Sequence, residues 1–455
     1  MRPATSYHPQ NKNEAVILAP VRRVTFEERW LWAILLGLMG LGAYAYLTQW
    51  NSGLGVTGLN RPVYWGIYIT NFVFFIGLAH SGTFISAILR LAGAGWRKPL
   101  TRAAEAITLF SLPFGVGSIL IDMGRPDRVL NIMFYGRFQS PLLWDITAVS
   151  LYLFSSIVFF YLSLLPDIAL CRDRLTEAPA WQQKMYKILA LGWMGRPEQF
   201  ERLERVLDGM AIFMTLLVVT VHTVVSWVFG MTVQPGWHTA LIGPFFLVGA
   251  IFSGTAAVVI VLAILRRVYH MENVLPVSLF NSLRKLLIVF TVAWLYMMIA
   301  EFLTASYGGL ADEMPVIWQK FTGDFAGLFW TMALAVFVFP ILIFVFLGKD
   351  HIGWMVTACV LINIGMWIER FVVIVPTETR PRLVSTLMEG MGNYTPSWVE
   401  IAITVSLFAG LTLLYVVFTR FFPIVPIWET AEETAETELP PVEPRRKVFG
   451  TRQSL

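Results

Sequence analysis

Ten long apolar stretches dominate this sequence and constrain what the chain can fold into. A helix needs roughly 20 apolar residues to cross a bilayer. The chain is 56% hydrophobic and 14% charged, whereas soluble domains carry about 25% charged residues. We therefore predict an all-α integral membrane protein with ten transmembrane helices, near residues 30–47, 63–89, 103–121, 141–165, 208–230, 239–265, 286–303, 324–347, 352–375 and 397–419.

Basic residues indicate the orientation. The two termini and the connections after even-numbered helices hold 26 of the 34 Lys and Arg residues, the connections after odd-numbered helices hold 7, and Arg370 lies within helix 9. Cytoplasmic segments carry the excess of positive charge in membrane proteins. We expect both termini in the cytoplasm and the odd-numbered connections facing the periplasm or exterior.

A short internal repeat predicts two similar halves. The stretch FFIGLAHSGT at 74–83 aligns with FLVGAIFSGT at 246–255, and both begin helices that run from outside to inside. Parallel repeats occur in membrane proteins with two similar bundles. We predict four-helix bundles from helices 2 to 5 and 6 to 9, with helices 1 and 10 peripheral. A chance match of small residues in packed helices is the alternative.

The predicted organisation follows from these assignments. Within the longest connection, apolar and basic residues from Trp181 to Leu189 alternate as in an interfacial amphipathic helix. The predicted segments are a cytoplasmic tail (1–29), helix 1 with its loop (30–62), the first bundle with cytoplasmic loop 166–207 (63–238), the second bundle (239–396), helix 10 (397–428) and a disordered cytoplasmic tail (429–455).

Several function classes are excluded by composition. Two cysteines, Cys171 and Cys359, are too few for a disulfide framework, a cysteine-bound iron–sulfur cluster or a zinc finger held by this chain alone. A net charge of +4 does not favour nucleic acid as a partner. Of six histidines, only His80 and His222 are deeply embedded. Their numbers of residues from the outer ends of the predicted helices place them at different depths in the membrane. We expect no haem and no metal site.

Ionisable residues inside membrane helices are costly and therefore candidate functional residues. Asp145 lies four residues into helix 4, near its outer end, where a carboxylate can accept a proton from a quinol hydroxyl and release it outward. Arg125, in the charged turn after helix 3, suits a quinone carbonyl or Asp145 itself. A carboxylate that caps a neighbouring helix or pairs with Arg125 is the alternative for Asp145.

Helix 3 has a polar or small face that runs its whole length. The face contains Glu105, Thr108, Ser111, Gly115, Ser118 and Asp122. This pattern suits a proton path, and it also suits a close helix contact.

Helices 2 and 5 carry further polar candidates. Asp208 and His222 share a stripe on helix 5, and an embedded histidine can shuttle protons or simply be satisfied by packing. On helix 2, Tyr68 and Asn71 form an outer cluster with Tyr64, whereas His80 lies closer to the cytoplasm.

The second bundle has its own charged residues. Glu301, Glu369 and Arg370 lie toward the exterior ends of their helices. When the alignment of the internal repeat is extended along both halves, Glu369 of the second half falls at the position of His222 in the first. Glu369 and Arg370 also have a simpler interpretation as a structural ion pair.

Nine segments, in this order and spacing, resemble the NrfD/polysulfide-reductase membrane subunits, and more closely the ActC-type subunits of bacterial alternative complex III. The resemblance covers helices 2 to 9. The segments are WGIYITNFVFFIGLAHSGT (65–83), RAAEAITLF (102–110), MGRP (123–126), SPLLWD (140–145), VHTVVSWVFG (221–230), VQPGWHTA (233–240), AIFSGTA (250–256), HMEN (270–273) and NIGMWIERFVV (363–373).

The resemblance implies a cofactor-free subunit of a bacterial inner membrane that oxidises menaquinol or ubiquinol near the exterior. Its implied partners are a periplasmic iron–sulfur/molybdopterin-like subunit, cytochrome c subunits and a second NrfD-like subunit. Asp145 matches the family's quinol-site acid, and Arg125 lies at the same mouth. Relatives often have His where this chain has Asp122. Residues in matching segments resemble proposed proton-pathway positions: His222, Glu301, Glu369 and Arg370.

Our leading hypothesis places a quinol head group by Asp145, Asp122 and Arg125, with Asn71, Tyr68 and His80 as further binding residues. Asp208, Glu105 and Ser118 join the candidate proton pathway. A secondary transporter, for which ten helices and a parallel repeat are also natural, and a passive anchor without a quinone pocket are the alternatives.

Overall fold

A computed structural model describes residues 12–22, 26–380 and 392–430. Its ten long apolar helices confirm the predicted all-α fold. We number them α1 to α10: Phe26–Ser52, Ile67–Leu91, Thr101–Asp122, Pro141–Arg174, Pro197–Gly230, Ile242–Val268, Val277–Gly308, Ala326–Leu347, Ile352–Glu378 and Trp398–Phe421. Shorter helices cover Lys12–Arg22, Asn131–Tyr135, Ala180–Leu189 and Met314–Phe321, and single 3₁₀ turns cover Leu54–Val56, Gly95–Arg97 and Pro126–Arg128.

Eight of the helices form two rings of four, and α2 of the first ring lies at the centre, where the two rings meet. Helices α2 to α5 contact one another in sequence and close through α2 and α5, and α6 to α9 do the same through α6 and α9. The two rings meet where α2 packs against α6 and α9, and α1 packs on α10 at the side. Because α2 has neighbours on all sides, most of its side chains are buried, polar ones included.

Helix α8 is irregular where the others are regular. Its turns widen over Leu334–Val338 and again over Ile343–Leu347, each with π-helical hydrogen bonding. Pro340 lies between the two wide turns, and proline has no amide hydrogen to continue the α-helical pattern. Wide turns of this kind often occur at functional sites.

The two helices that flank the long connection of the first bundle extend beyond the predicted membrane spans. Helix α4 continues to Arg174 and α5 begins at Pro197, so only 175–196 lie between these two helices, within the predicted cytoplasmic loop 166–207. Polar residues at these ends stay helical because they are held by partners, as Asp167 is by Arg102. Helix Ala180–Leu189 lies in this connection, with Trp181 exposed and Tyr186 buried.

The described residues omit 1–11, 23–25 and 431–455, so they cover 15 residues of the predicted N-terminal tail and only Glu429 and Thr430 of the predicted C-terminal tail. Residues 381–391 of the predicted second-bundle segment are outside them as well. The prediction that Glu429 belongs to the disordered tail is wrong, because its side chain is buried. Its carboxylate lies 3.2 Å from the guanidinium of Arg97 and 3.8 Å from that of Arg90.

Candidate functional site

Asp145 lies on the second turn of α4, which begins at Pro141 after an extended Ser140. Its side chain is 5% exposed, and its Oδ1 has no hydrogen-bond partner within the described residues. A buried polar group without a partner costs free energy. An orphaned carboxylate oxygen is therefore available to a bound hydroxyl group.

Arg125 does not pair with Asp145 in the described structure. Its guanidinium donates to both carboxylate oxygens of Asp127, each at 3.1 Å, and both side chains are largely exposed. The hydrogen bond from Arg125 lowers the pKa of Asp127, and Asp127 in turn raises the pKa of Arg125. The alternative in which Arg125 neutralises Asp145 is therefore not what the geometry shows.

Asp122 is the last residue of α3 and lies in a cluster of polar side chains. Some members of this cluster were predicted from the sequence, and others were not. The Oδ1 of Asp122 is buried without a hydrogen-bond partner among the described residues. Gln49 of α1 donates to the carbonyl of neighbouring Ile121 at 2.9 Å and accepts from the hydroxyl of Tyr68 at 2.6 Å. Gln49 thus joins α1, α2 and α3. We missed it because it is one amide near the end of an otherwise apolar helix.

Two further carboxylates lie close enough to Asp122 to interact electrostatically, Glu378 and Glu400. Glu378 accepts from the backbone amides of Tyr64 and Trp65, at 2.7 and 3.1 Å. Glu400 accepts from the hydroxyl of Tyr394 at 2.6 Å. Neither was predicted, because each comes from α9 or α10, far along the chain from the candidates of the first bundle.

Asn71 connects α2 to the helices beside it. Its amide donates to Thr404 Oγ1 of α10 at 2.8 Å, and its carbonyl accepts from the indole of Trp367 at 2.9 Å. These bonds fix the side chain. The structure therefore gives Asn71 a bridging position between the first bundle, α9 and α10.

His80 and His222 meet inside the first bundle, so the prediction that they lie at different depths is wrong. Their Nδ1 atoms are 3.1 Å apart, and one ring must donate while the other accepts. The predicted depth of His80 was counted from residue 63 as the start of the helix. Because α2 begins at Ile67, His80 is only 13 residues beyond its start. The ring of Tyr152 stacks on His80 with centroids 4.5 Å apart.

Both imidazoles of this pair have an unused nitrogen. Each side chain is at most 1% exposed, and each Nε2 is without a partner in the described residues. The Tyr152 hydroxyl donates to the carbonyl of Ala79 at 2.9 Å. The pair can exchange a proton between α2 and α5, since neutral imidazole both donates and accepts.

The other polar candidates of the first bundle are hydrogen-bonded or ion-paired locally. Glu105 accepts from Ser86 at 2.7 Å and Ser163 at 2.8 Å. Asp208 is exposed and lies 2.7 Å from Arg90. Ser118 donates to the carbonyl of Phe114 in its own helix, at 2.8 Å. The structure therefore separates these residues into local contacts instead of one continuous chain.

In the second bundle, Glu301 and Glu369 line a cavity of about 460 Å³ together with Lys320. Glu301 accepts from the hydroxyl of Thr239 at 3.0 Å. Burial lowers the pKa of Lys320 to about 8, although Glu301 and Glu369 act in the opposite direction. Lys320 was not predicted, because it lies in the short helix Met314–Phe321 outside the membrane segments.

Glu369 and Arg370 form a close ion pair with poor hydrogen-bond geometry. Arg370 Nη1 is 2.8 Å from Glu369 Oε2, yet neither atom has a hydrogen bond within the described residues. The Arg370 guanidinium lies 4.9 Å from the ring centroid of Phe246, whose ring is 6.4 Å from that of His222. The pair is therefore a neighbour of the histidine pair across the bundle interface.

The fold and its buried ionisable groups define a multi-pass helical membrane protein. The chain belongs to the polysulphide reductase NrfD family, whose profile matches residues 55–382. The family-level resemblance read from the sequence is thereby confirmed.

Three curated relatives align over nearly their full lengths. A putative dimethyl sulfoxide reductase membrane subunit from Halobacterium salinarum is 26% identical, over 88% of this chain and 92% of the relative. A selenate reductase subunit from Mesobacillus selenatarsenatis is 23% identical, over 87% and 94%. An Hdr-like menaquinol oxidoreductase integral membrane subunit from Archaeoglobus fulgidus is 24% identical, over 88% and 95%.

Proposed function

We propose that this chain is the quinol-oxidising membrane subunit of an oxidoreductase complex, with menaquinol as its substrate. The observation that carries the proposal is Asp145, a buried carboxylate with an unpartnered oxygen close to one end of a membrane helix. The name of the Archaeoglobus relative, a menaquinol oxidoreductase membrane subunit, supports the substrate class.

In the proposed reaction the quinol hydroxyl donates its proton to Asp145 as the head group loses electrons. A quinol releases two electrons and two protons to become a quinone, so Asp145 passes the first proton outward before it accepts the second. The electrons pass to a periplasmic iron–sulfur/molybdopterin-like subunit, in keeping with the reductase names of two relatives. Asp122, Tyr68 and the surface residue Arg125 hold or orient the head group near Asp145. Gln49 fixes Tyr68 beside the end of α3, because it bonds both to the Tyr68 hydroxyl and to the carbonyl of Ile121.

We further propose the finer assignment to an alternative complex III in a bacterial inner membrane, with both termini cytoplasmic. Cytochrome c subunits and a second NrfD-like subunit would then copurify with this chain. The proposed proton pathway includes Glu105, Ser118 and Asp208 in the first bundle. The contact between His80 and His222 supports a proton-transfer step there, with Glu301, Glu369 and Arg370 serving the second bundle.

The proposal is tested by Asp145→Asn, which keeps the shape of the side chain and removes its basicity. We expect quinol oxidation by the intact complex to fall by about 100-fold or more, as for loss of a general base. Turnover is measured with a reduced quinone analogue and a soluble electron acceptor. Copurification of the partner subunits reports whether the complex assembles.

The matched control is Asp324→Asn, because Asp324 is an exposed carboxylate of the second bundle. It should retain the turnover of the unmodified complex. Wild-type turnover in Asp145→Asn, with normal assembly, would reject Asp145 as the proton acceptor. A complex that oxidises no quinol even without substitutions would reject the proposed function itself.

A further inference from the structure

A cavity at one end of the second bundle is separate from the Asp145 region. Its lining comes from the start of α6 and the segment before it, from α7, α8 and α9, and from the helix Met314–Phe321. The volume of about 460 Å³ is within the range of ligand pockets. No residue of α2 to α5 contributes to the lining.

The cavity reaches the protein surface beside α7. Thr304 and Gly308 line it and are exposed. Their neighbours along α7 and the following loop are exposed apolar residues, Leu303, Tyr307 and Leu310. An apolar rim at the end of a membrane helix suits a ligand that arrives through lipid, because the tail of such a ligand can stay in the hydrocarbon.

The walls are aromatic, and the polar groups are few. Phe302 and Phe329, whose rings meet edge to face at 5.6 Å, line the cavity together with Phe245 and Phe246. Aromatic walls of this kind favour a flat ring in offset or edge-to-face contact. A planar head group therefore fits the cavity better than a branched polar one does.

Glu369 and Lys320 supply the polar recognition. The Glu369 side chain is 1% exposed and lines the cavity, and both of its carboxylate oxygens are without a hydrogen-bond partner in the described part of the chain. The Lys320 amine can donate to a ligand oxygen, and Glu369 can accept from one. A ring that carries hydroxyl or carbonyl oxygens satisfies both.

We propose that this cavity is a second binding site, for the ring of a quinone or quinol whose apolar tail leaves between α7 and the lipid. A hydroxyl of the ring donates to Glu369, and a ring oxygen accepts from Lys320. The site holds the molecule without taking part in its oxidation at Asp145.

Charge favours a neutral ring over a phospholipid head group. The lining contains three carboxyl groups, those of Glu301, Glu313 and Glu369, and one lysine, Lys320. Arg370 is not part of the lining but lies 2.8 Å from Glu369, so carboxylates still outnumber cations around the cavity. An anionic phosphate would lie among the three carboxylates at a cost, whereas a quinone carries no charge. The occupant we assign is therefore the quinone or quinol ring.

The test is photolabelling of the intact complex in native membranes with an azido-naphthoquinone that bears an isoprenoid tail. Labelled peptides are mapped by mass spectrometry. We expect label on α7 or on the helix Met314–Phe321. The variant Ala305→Trp, which places a large side chain into the lining, should reduce that label at least about 5-fold. Ser306→Trp, on an exposed neighbouring position, should leave it unchanged.

Each outcome separates this inference from the proposed function. Label on α2 to α4 alone would overturn the second site and leave oxidation at Asp145 intact. Equal label at the second bundle in Ala305→Trp and in unmodified protein would also overturn it, as would phospholipid as the only molecule recovered from the cavity. Label on the second bundle with none near Asp145 would support the second site and count against the first.

Discussion

Two regions of the molecule surround their buried charges differently, the start of α3 in the first bundle and the cavity in the second. At the start of α3, Arg102 donates to Asp167 at 2.5 Å, to the carbonyl of Ser163 at 2.9 Å and to that of Pro423 at 3.1 Å. In the second bundle, Glu369 and Lys320 face a cavity, and Glu369 makes no hydrogen bond within the described residues. Charges enclosed by protein partners hold the fold together. Glu369 has the neighbouring Arg370 beside it at 2.8 Å, but its side chain also lines open space, where it can meet a ligand.

Asp167 extends the enclosed arrangement to the end of the described chain. It accepts from the backbone amides of Ile427 at 3.1 Å and Trp428 at 3.3 Å. The ion pair with Arg102 therefore fixes the segment that follows α10 against α3 and α4. We expect this part of the molecule to respond to mutation through stability, and the cavity to respond through binding.

The largest expected effect is on stability, for Arg102→Met. Removing the guanidinium leaves Asp167 buried without its cation, which typically costs about 3–5 kcal/mol. The free energy of unfolding is measured by titrating the purified protein in mixed micelles with SDS and following tryptophan fluorescence.

Two further variants sharpen this result. The double variant Arg102→Met/Asp167→Asn should recover part of the loss, because no uncompensated charge remains. Arg125→Met, which breaks the exposed pair with Asp127, should leave stability unchanged within error. An Arg102→Met protein as stable as Arg125→Met would show that the enclosed pair does not hold the fold.

A second prediction concerns the contact between the bundles, where Gly254 of α6 meets Ser81 of α2. A Cβ placed on Gly254 would overlap the Cβ and Oγ of Ser81, whereas one on Gly77 of α2 would lie 3.5 Å from the Cβ of Ala250. We expect Gly254→Ala to destabilise the protein by about 1–3 kcal/mol through overpacking. Gly77→Ala is the matched control on the same interface.

The same SDS titration measures both glycine variants. Gly77→Ala should be neutral or slightly stabilising, since alanine favours helix more than glycine does. Equal stability of the two variants would mean that the bundles separate easily enough to admit the added methyl group. In that event the two bundles would be independent units instead of one packed core.

The sequence predicted the ten helices well because a membrane span needs a long apolar run, and such runs are visible without any tertiary information. The ends of helices were less predictable. Charged residues such as Asp167 and Arg174 looked like loop, but Asp167 has partners from distant segments, and α4 continues through both. Helix boundaries there depend on contacts that no local pattern contains.

The candidate residues show the same division. Their burial followed from their position in apolar helices, as for Asp145 and Glu369. Their partners did not, because contacts such as that between His80 and His222 depend on where each helix begins and how it tilts. The cavity in the second bundle was also unpredicted, since its lining combines four helices with Lys320 from a short connecting helix.

The smallest expected effect is a dependence of stability on pH that arises from Lys320 at the cavity of the second bundle. The folded-state pKa of Lys320 is about 8, below its ordinary 10.5, because burial penalises the ammonium form. Between these two values the unfolded chain binds the proton and the folded chain does not, so stability rises as pH increases from 8 to 10.5. Because Lys320 lines a cavity that reaches the protein surface and is not packed by protein on every side, we expect a rise of only about 1 kcal/mol. The variant Lys320→Met should lose this rise when its free energy of unfolding is measured by SDS titration between pH 8 and 10.5. The control Lys349→Met, at an exposed lysine, should retain it. The same pH profile in both variants would mean that Lys320 is hydrated like a surface lysine.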